Sequence, residues 1–168
     1  PILFNEAFVA VGGEWGELAA GRLANIFSGN GDFGLCPHIN PSPMGTNFPN
    51  AGLTPIFSSG YYYNNSVIYN SPRVNGFHVA AMYSNGRDDD SVSRGKSDQF
   101  SALALTYIGE SFKFAVIPTY IDSDSLKTAT VTPNDEYSIA LLGSYWPEPT
   151  MGLHFGYQFV RDGRALGG

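Results

Sequence analysis

The 168-residue chain is most informative in what it has little of. It has a single cysteine, Cys36, which excludes an internal disulfide framework and any paired-cysteine metal site. It is short of charge, with 14% Asp, Glu, Lys and Arg against the roughly 25% usual for soluble proteins. Nine basic residues face fifteen acidic ones for a net charge of −6, and no basic stripe is present, so nucleic acid is excluded as a partner. No apolar run approaches the length of a membrane-spanning helix. No segment shows the 3.6-residue periodicity of an amphipathic helix. What is there is aromatic and small: 10 Tyr, 12 Phe, 2 Trp and 20 Gly. With 43% hydrophobic residues and a mean hydropathy of −0.11, the chain is ordered without being greasy overall. It opens Pro1-Ile2-Leu3-Phe4 and ends Arg164-Ala165-Leu166-Gly167-Gly168; both ends read as cuts, so the body of the chain has to indicate the compartment.

The organising signal is alternation with period two. In 150–160, Met151, Leu153, Phe155, Tyr157 and Phe159 fall on one face and Thr150, Gly152, His154, Gly156 and Gln158 on the other. Residues 136–145 repeat this with Tyr137, Ile139, Leu141 and Tyr145 against Ser138, Ala140 and Ser144. In 112–120, Phe112, Phe114, Val116 and Tyr120 oppose Lys113 and Thr119. In 101–107, Leu103, Leu105 and Tyr107 oppose Ala102, Ala104 and Thr106. In 76–84, Phe77, Val79, Ala81 and Tyr83 oppose His78 and Ser84. Less regular strands are expected at 4–11, 17–24 and 63–71, which makes eight strands in all and no helix.

The connections carry as much information as the strands. Short turns at 12–16, 72–75, 109–110 and 147–149 alternate with long connections at 25–62, 85–98 and 122–135. Tight turns therefore gather at one end of an antiparallel meander and long loops at the other, as in outer-membrane barrels. A soluble sandwich would carry Lys and Glu on its outer face. Here the less apolar face is Gly, Ala, Ser, Thr, His and Gln, and Tyr83, Tyr107, Tyr120, Tyr145, Trp146 and Tyr157 are expected at strand ends, as an interfacial aromatic girdle requires.

Three stretches then carry a resemblance. Glu6-Ala7-Phe8-Val9-Ala10-Val11-Gly12-Gly13-Glu14-Trp15-Gly16-Glu17-Leu18-Ala19-Ala20-Gly21-Arg22 is followed, after a long gap, by Asn64-Asn65-Ser66-Val67-Ile68-Tyr69-Asn70-Ser71-Pro72 and Gly76-Phe77-His78-Val79-Ala80-Ala81-Met82-Tyr83. Within the gap stands Gly31-Asp32-Phe33-Gly34. Their order and spacing resemble Gram-negative general porins over residues 4–83, and beyond Tyr83 the strand rhythm continues the likeness.

The resemblance implies a trimeric, sixteen-stranded barrel for passive diffusion of small hydrophilic solutes and ions, set among outer-membrane lipid and lipopolysaccharide. It also implies a third loop that folds inward and narrows the pore. By carry-over, Arg22 takes the wall position and Asp32, with Phe33 and Gly34, the acidic-Phe-Gly element of the loop, so that opposite charges face each other at the constriction. Two departures stand out. Asn64 occupies a position where several family members have Arg, and the family's C-terminal aromatic is absent at Gly168.

The expected architecture is all-β: an antiparallel transmembrane β-barrel meander, about eight strands of a sixteen-stranded barrel. Residues 1–168 form part of it, with a strand pair in 3–24, a constriction-loop-like segment in 25–62 and six further strands in 63–160. Eight strands alone would leave two open edges in lipid and a lumen filled by side chains, so the chain reads as a fragment. His78 and His154 fall on the lumen-assigned face, where lining the pore and being satisfied by wall neighbours are equal readings.

Other constellations are weak. Cys36-Pro37-His38 offers no nucleophile-to-base geometry and no orienting third residue, so no enzyme is expected. Asp88-Asp89-Asp90 and Asp122-Ser123-Asp124 lack the spacing of a calcium loop and read as hydrated external loops; no metal site and no cofactor are expected. The alternative of a different class is a secreted β-sandwich or jelly-roll glycan-binding module whose Tyr and Trp would stack on sugar rings.

Overall fold

The computed structural model describes residues 6–26, 62–85, 99–122, 135–148 and 150–161. They form eight strands: β1 (Ala7–Gly13), β2 (Gly16–Ala24), β3 (Tyr62–Asn70), β4 (Phe77–Ser84), β5 (Gln99–Ile108), β6 (Phe112–Asp122), β7 (Glu136–Glu148) and β8 (Met151–Arg161). Each expected strand is present, extended or trimmed by a few residues at its ends, and no helix occurs among the described residues. The eight strands make one antiparallel sheet in sequence order, a pure meander. Because consecutive strands reverse direction, the turns after β1, β3, β5 and β7 lie at one end of the sheet. The long connections after β2, β4 and β6 leave from the other. β1 and β8 are the two edges of the sheet and do not pair with each other.

The two faces differ in the sense that the alternation demands. Register places Val79, Leu105, Val116, Leu141 and Tyr157 side by side across β4–β8. These belong to the exposed face, on which Val9 is 75% and Tyr157 61% accessible. The opposite, inner face carries Met82, Ala102, Thr119 and Ser138 in one cross-strand row. Ser66, Ser84, Phe100, Ile121 and Glu136 form another, and every member of both rows is buried. Large apolar side chains thus point outward and mostly small or hydroxyl-bearing ones inward. A protein surrounded by water minimises its free energy the other way round, because outward Val, Leu and Phe lose their hydrophobic stabilisation. In lipid the arrangement costs nothing.

Aromatic residues bound this outer band on both sides. Toward the loop end, Tyr83, Tyr120 and Tyr137 share a row with Ser101 and Arg161, and the Tyr120 and Tyr137 ring centroids are 4.9 Å apart. Toward the turn end, Phe77 pairs with Tyr107 at 5.1 Å, Phe112 stands opposite Tyr145, and Trp15 stacks on Tyr69. Phe112 to Tyr120 and Tyr137 to Tyr145 each span eight residue steps. At about 3.4 Å per step and a tilt of about 40°, that is roughly 21 Å across the membrane, close to the ~25 Å apolar band of such barrels. Tyr157 departs from the expectation: it lies opposite Leu141 in mid-strand rather than at a strand end, because the strand runs on past it to Arg161.

The inner face is also more apolar than alternation suggests. Tyr63 and Phe100 are fully buried and stack with ring centroids 4.4 Å apart, and Leu23, Ile26, Ile68, Ile117 and Ile121 join the same buried cluster. Alanines at 19, 80, 102, 104, 115 and 140 keep the rest of that face thin.

Two backbone details shape the wall. The Phe155 ring lies across Gly143 on the outer face, where any Cβ would collide with it; an aromatic side chain here covers a glycine that would otherwise expose backbone to lipid. Pro118 sits in the middle of β6, and the β5–β6 ladder breaks opposite it, between the pairs Ala102↔Thr119 and Leu105↔Val116. Proline has no N–H to donate, so one ladder hydrogen bond is missing in a setting with no water to replace it. Pro118→Thr is therefore expected to stabilise the folded protein by about 1 kcal/mol, read as a higher temperature for the loss of the heat-resistant folded band on a detergent gel. An unchanged or lower temperature would show that the break carries no cost.

Candidate functional site

The hairpin of β1 and β2 meets β3 at an irregularity that places a charge. β2 and β3 pair regularly up to Gly21↔Ser66 and resume at Leu23↔Tyr63, so the single residue Arg22 stands against the pair Asn64–Asn65. Two residues against one is a β-bulge, which re-aims the side chains beside it. The local sequence supports it. Gly21 has φ +147° and passes so close to the Ala7 carbonyl and Phe8 that no side chain fits. Asn65 takes a left-handed φ of 49°, which Asn tolerates better than most residues. The extra residue lies on β3, where Tyr63 and Ser66 are both buried although three apart; along β2 alternation continues, with Gly21 and Leu23 against Ser66 and Tyr63 and Arg22 on the side of Leu18 and Ala20.

Arg22 is half-buried and donates from Nη1 to the side-chain Oδ1 of Asn64 at 2.7 Å. Asn64 is held in turn, since its backbone carbonyl accepts from Ser84 Oγ at 2.7 Å and from Ser66 Oγ at 3.3 Å. Ser66 Oγ also donates to the Tyr63 carbonyl at 2.8 Å. On the β1 side, the Glu6 carboxylate accepts the Ala24 backbone N–H at 2.8 Å. One arginine is thus fixed at the loop-side mouth of the wall by groups from β2, β3 and β4.

Farther along the inner face Thr119, Ser138 and Gln158 are joined by hydrogen bonds. Thr119 and Ser138 hydroxyls are 2.5 Å apart, and Gln158 Nε2 donates to Ser138 Oγ at 3.0 Å, a chain of hydroxyl and amide groups across β6–β8. Near the turn end, Lys113 Nζ lies 5.3 Å from the Trp146 ring centroid, a cation held over an aromatic face. His78 stands opposite Thr106, half-buried on the inner face with Ala80, Met82 and Ser84. His154 is paired with Ser144 in the backbone register, its side chain lying outside the described residues. Asp32, Phe33 and Gly34 also lie outside the described residues, as do Cys36 and Asp88-Asp89-Asp90.

The structure therefore brings Arg22 together with Asn64, a partner that the sequence reading treated only as a missing charge. It adds Thr119, Ser138 and Gln158, whose alignment depends on the register of three strands and has no local sequence signal. Among the described residues no three or more His, Cys, Asp or Glu gather to hold a metal ion. The polar groups described on the wall are side-chain amides, hydroxyls and charged groups.

No curated protein matches the chain. A family model described as Gram-negative porin matches residues 4–164, nearly the whole chain. That match, the all-strand meander and the outward-facing apolar band agree with one another. The chain belongs to the Gram-negative porin family, channel proteins of the outer membrane of Gram-negative bacteria.

Proposed function

We propose that the chain forms part of a passive channel through which small hydrophilic solutes and ions diffuse across the outer membrane. The observation that carries this reading is the inverted sheet, whose outward face is a band of Val, Leu, Ile and Phe between two aromatic rims and whose inward face is small and polar in large part. Two open edges in lipid would leave rows of backbone N–H and C=O groups unsatisfied, so the eight strands close into a barrel with further strands. About sixteen in total leave a water-filled lumen. The protein works as a homotrimer whose rims meet lipid and lipopolysaccharide. Segment 25–62 serves as the constriction loop, with Asp32, Phe33 and Gly34 narrowing the pore and His78 and His154 lining it. The charge balance of nine basic to fifteen acidic residues favours a mild preference for cations.

The test is insertion of the full-length protein, purified in detergent from outer membranes, into a planar lipid bilayer. Stepwise conductance with a reversal potential of the sign expected for cation preference in a potassium chloride gradient supports the reading. A reversal potential of anionic sign removes the preference and leaves the channel. Absence of conductance, with the protein recovered from the soluble fraction, would hand the chain to a secreted β-sandwich.

A further inference from the structure

We infer that Lys113 is a specificity-determining charge of the channel: its ammonium, seated on the Trp146 ring near the turn end of the inner face, draws anions and holds the preference for cations below what the composition implies. The inference rests on the channel reading above.

The register puts Lys113 on the inner face. It stands between Ile108 of β5 and Ser144 of β7, and Ser144 pairs in turn with His154 of β8. Ser144 is fully buried, as are the next inner residues of β6, Ala115 and Ile117. Phe112 and Phe114, on either side of Lys113 in the chain, belong to the outer face and stack with ring centroids 6.2 Å apart. Lys113 is also close to the turns. The Trp146 backbone N–H donates to the Ser111 carbonyl at 2.8 Å, which sets the indole one inner step nearer the turn end than Ser144 and diagonal to Lys113. Both side chains are half-buried.

The chemistry of the partner matters. Lys113 Nζ lies 5.3 Å from the Trp146 ring centroid. An aromatic face attracts an ammonium through its quadrupole and brings no opposite charge, so the full positive charge remains. Among the described residues Lys113 forms no ion pair; Glu110 and Glu148, the carboxylates of the two flanking turns, are exposed and stand apart from it. The other titratable side chains described in the inner rows of β4–β8 are His78, two strands away on β4, and Glu136. Glu136 pairs with Ile121, eight residue steps from Lys113 along β6. At about 3.4 Å per step and a tilt of about 40°, that is roughly 21 Å along the pore. Salt screens fields in water over about 8–10 Å, so the carboxylate at the loop end leaves the ammonium at the turn end uncompensated. A passing ion therefore meets a positive fixed charge at that mouth, which favours anions and opposes cations.

The experiment uses the full-length protein in planar bilayers and reads the potassium-to-chloride permeability ratio from reversal potentials in a potassium chloride gradient. Lys113→Gln removes one positive charge from the wall and is expected to raise the ratio about twofold. Lys113→Glu, which reverses the charge, is expected to raise it further. Lys113→Arg keeps both the charge and the contact with the indole and is expected to match wild type. Near 1 M salt, where the screening length falls to about 3 Å, the four proteins are expected to converge. A ratio that follows the charge at position 113 in this order supports the inference. A ratio unchanged in Lys113→Gln, or raised as much by Lys113→Arg, would overturn it while the conductance of wild type keeps the channel reading intact. Should Lys113→Gln fail to fold, Lys113→Glu against Lys113→Arg makes the same comparison, and equal ratios overturn the inference. A wild-type protein that does not conduct would overturn both readings.

Discussion

Phe100→Ala is expected to cost about 3–5 kcal/mol of folding stability, the largest loss from any single side chain of the described wall. Phe100 is fully buried on the inner face and stacks on Tyr63 with centroids 4.4 Å apart. Its row neighbours are Ser84 on β4 and Ile121 on β6, both also buried. Removing the ring empties volume between strands whose backbone positions are locked by ladders on either side, so the gap cannot close by collapse. The same substitution at a lumen side chain bathed in water would cost far less, because no packed contacts would be lost. The measurement is the temperature at which the heat-resistant folded form unfolds in detergent, for Phe100→Ala against wild type. A drop of a few degrees or none would show that this stretch of the inner face is wet.

Leu105→Arg is expected to cost about 2–4 kcal/mol, in keeping with an arginine placed on the lipid face near the bilayer midplane. Leu105 is 48% exposed and stands between Val79 and Val116 in the middle of the outer band. In a water-soluble sheet this position would accept arginine almost without penalty, since a half-exposed side chain on the solvent face tolerates charge. Ser101→Arg, four residues along the same strand in the row of Tyr83 and Tyr120, is the control and is expected to cost about 1 kcal/mol or less, because a rim arginine reaches the headgroups. The readout is the yield of folded, outer-membrane-inserted protein for both variants. Equal yields would remove the lipid-facing assignment of the outer band, and with it the main support for a channel.

The two substitutions probe opposite faces of one sheet, and the division between those faces was readable directly from the sequence. Strict alternation in 101–107 and 136–145 assigns Leu103, Leu105, Ile139 and Leu141 to one face and Ala102, Ala104, Ser138 and Ala140 to the other. The structure keeps every one of these assignments. The reason is local: successive side chains of an extended strand must point to opposite sides whatever the strand pairs with. Turn chemistry is equally local, which is why the short connections and the meander order could be read without coordinates.

What failed to show in the sequence depends on contacts between distant parts of the chain. The Arg22–Asn64 bond joins residues 42 positions apart, and it exists because a bulge sets Arg22 against two residues of β3. Alternation carries no information about a bulge until the strands are paired. The ladder break opposite Pro118 likewise follows from register.

By itself, then, the sequence determined that this protein is a β meander with segregated turns, one greasy face and one small-residue face, because those properties belong to the extended backbone and its nearest neighbours. Only the tertiary structure decided that Tyr63, Phe100 and Ile121 pack as a buried cluster within the face assigned to the lumen, and that the wall arginine is held by an amide. Those outcomes depend on which residues stand side by side across strands, and register is a property of the whole sheet.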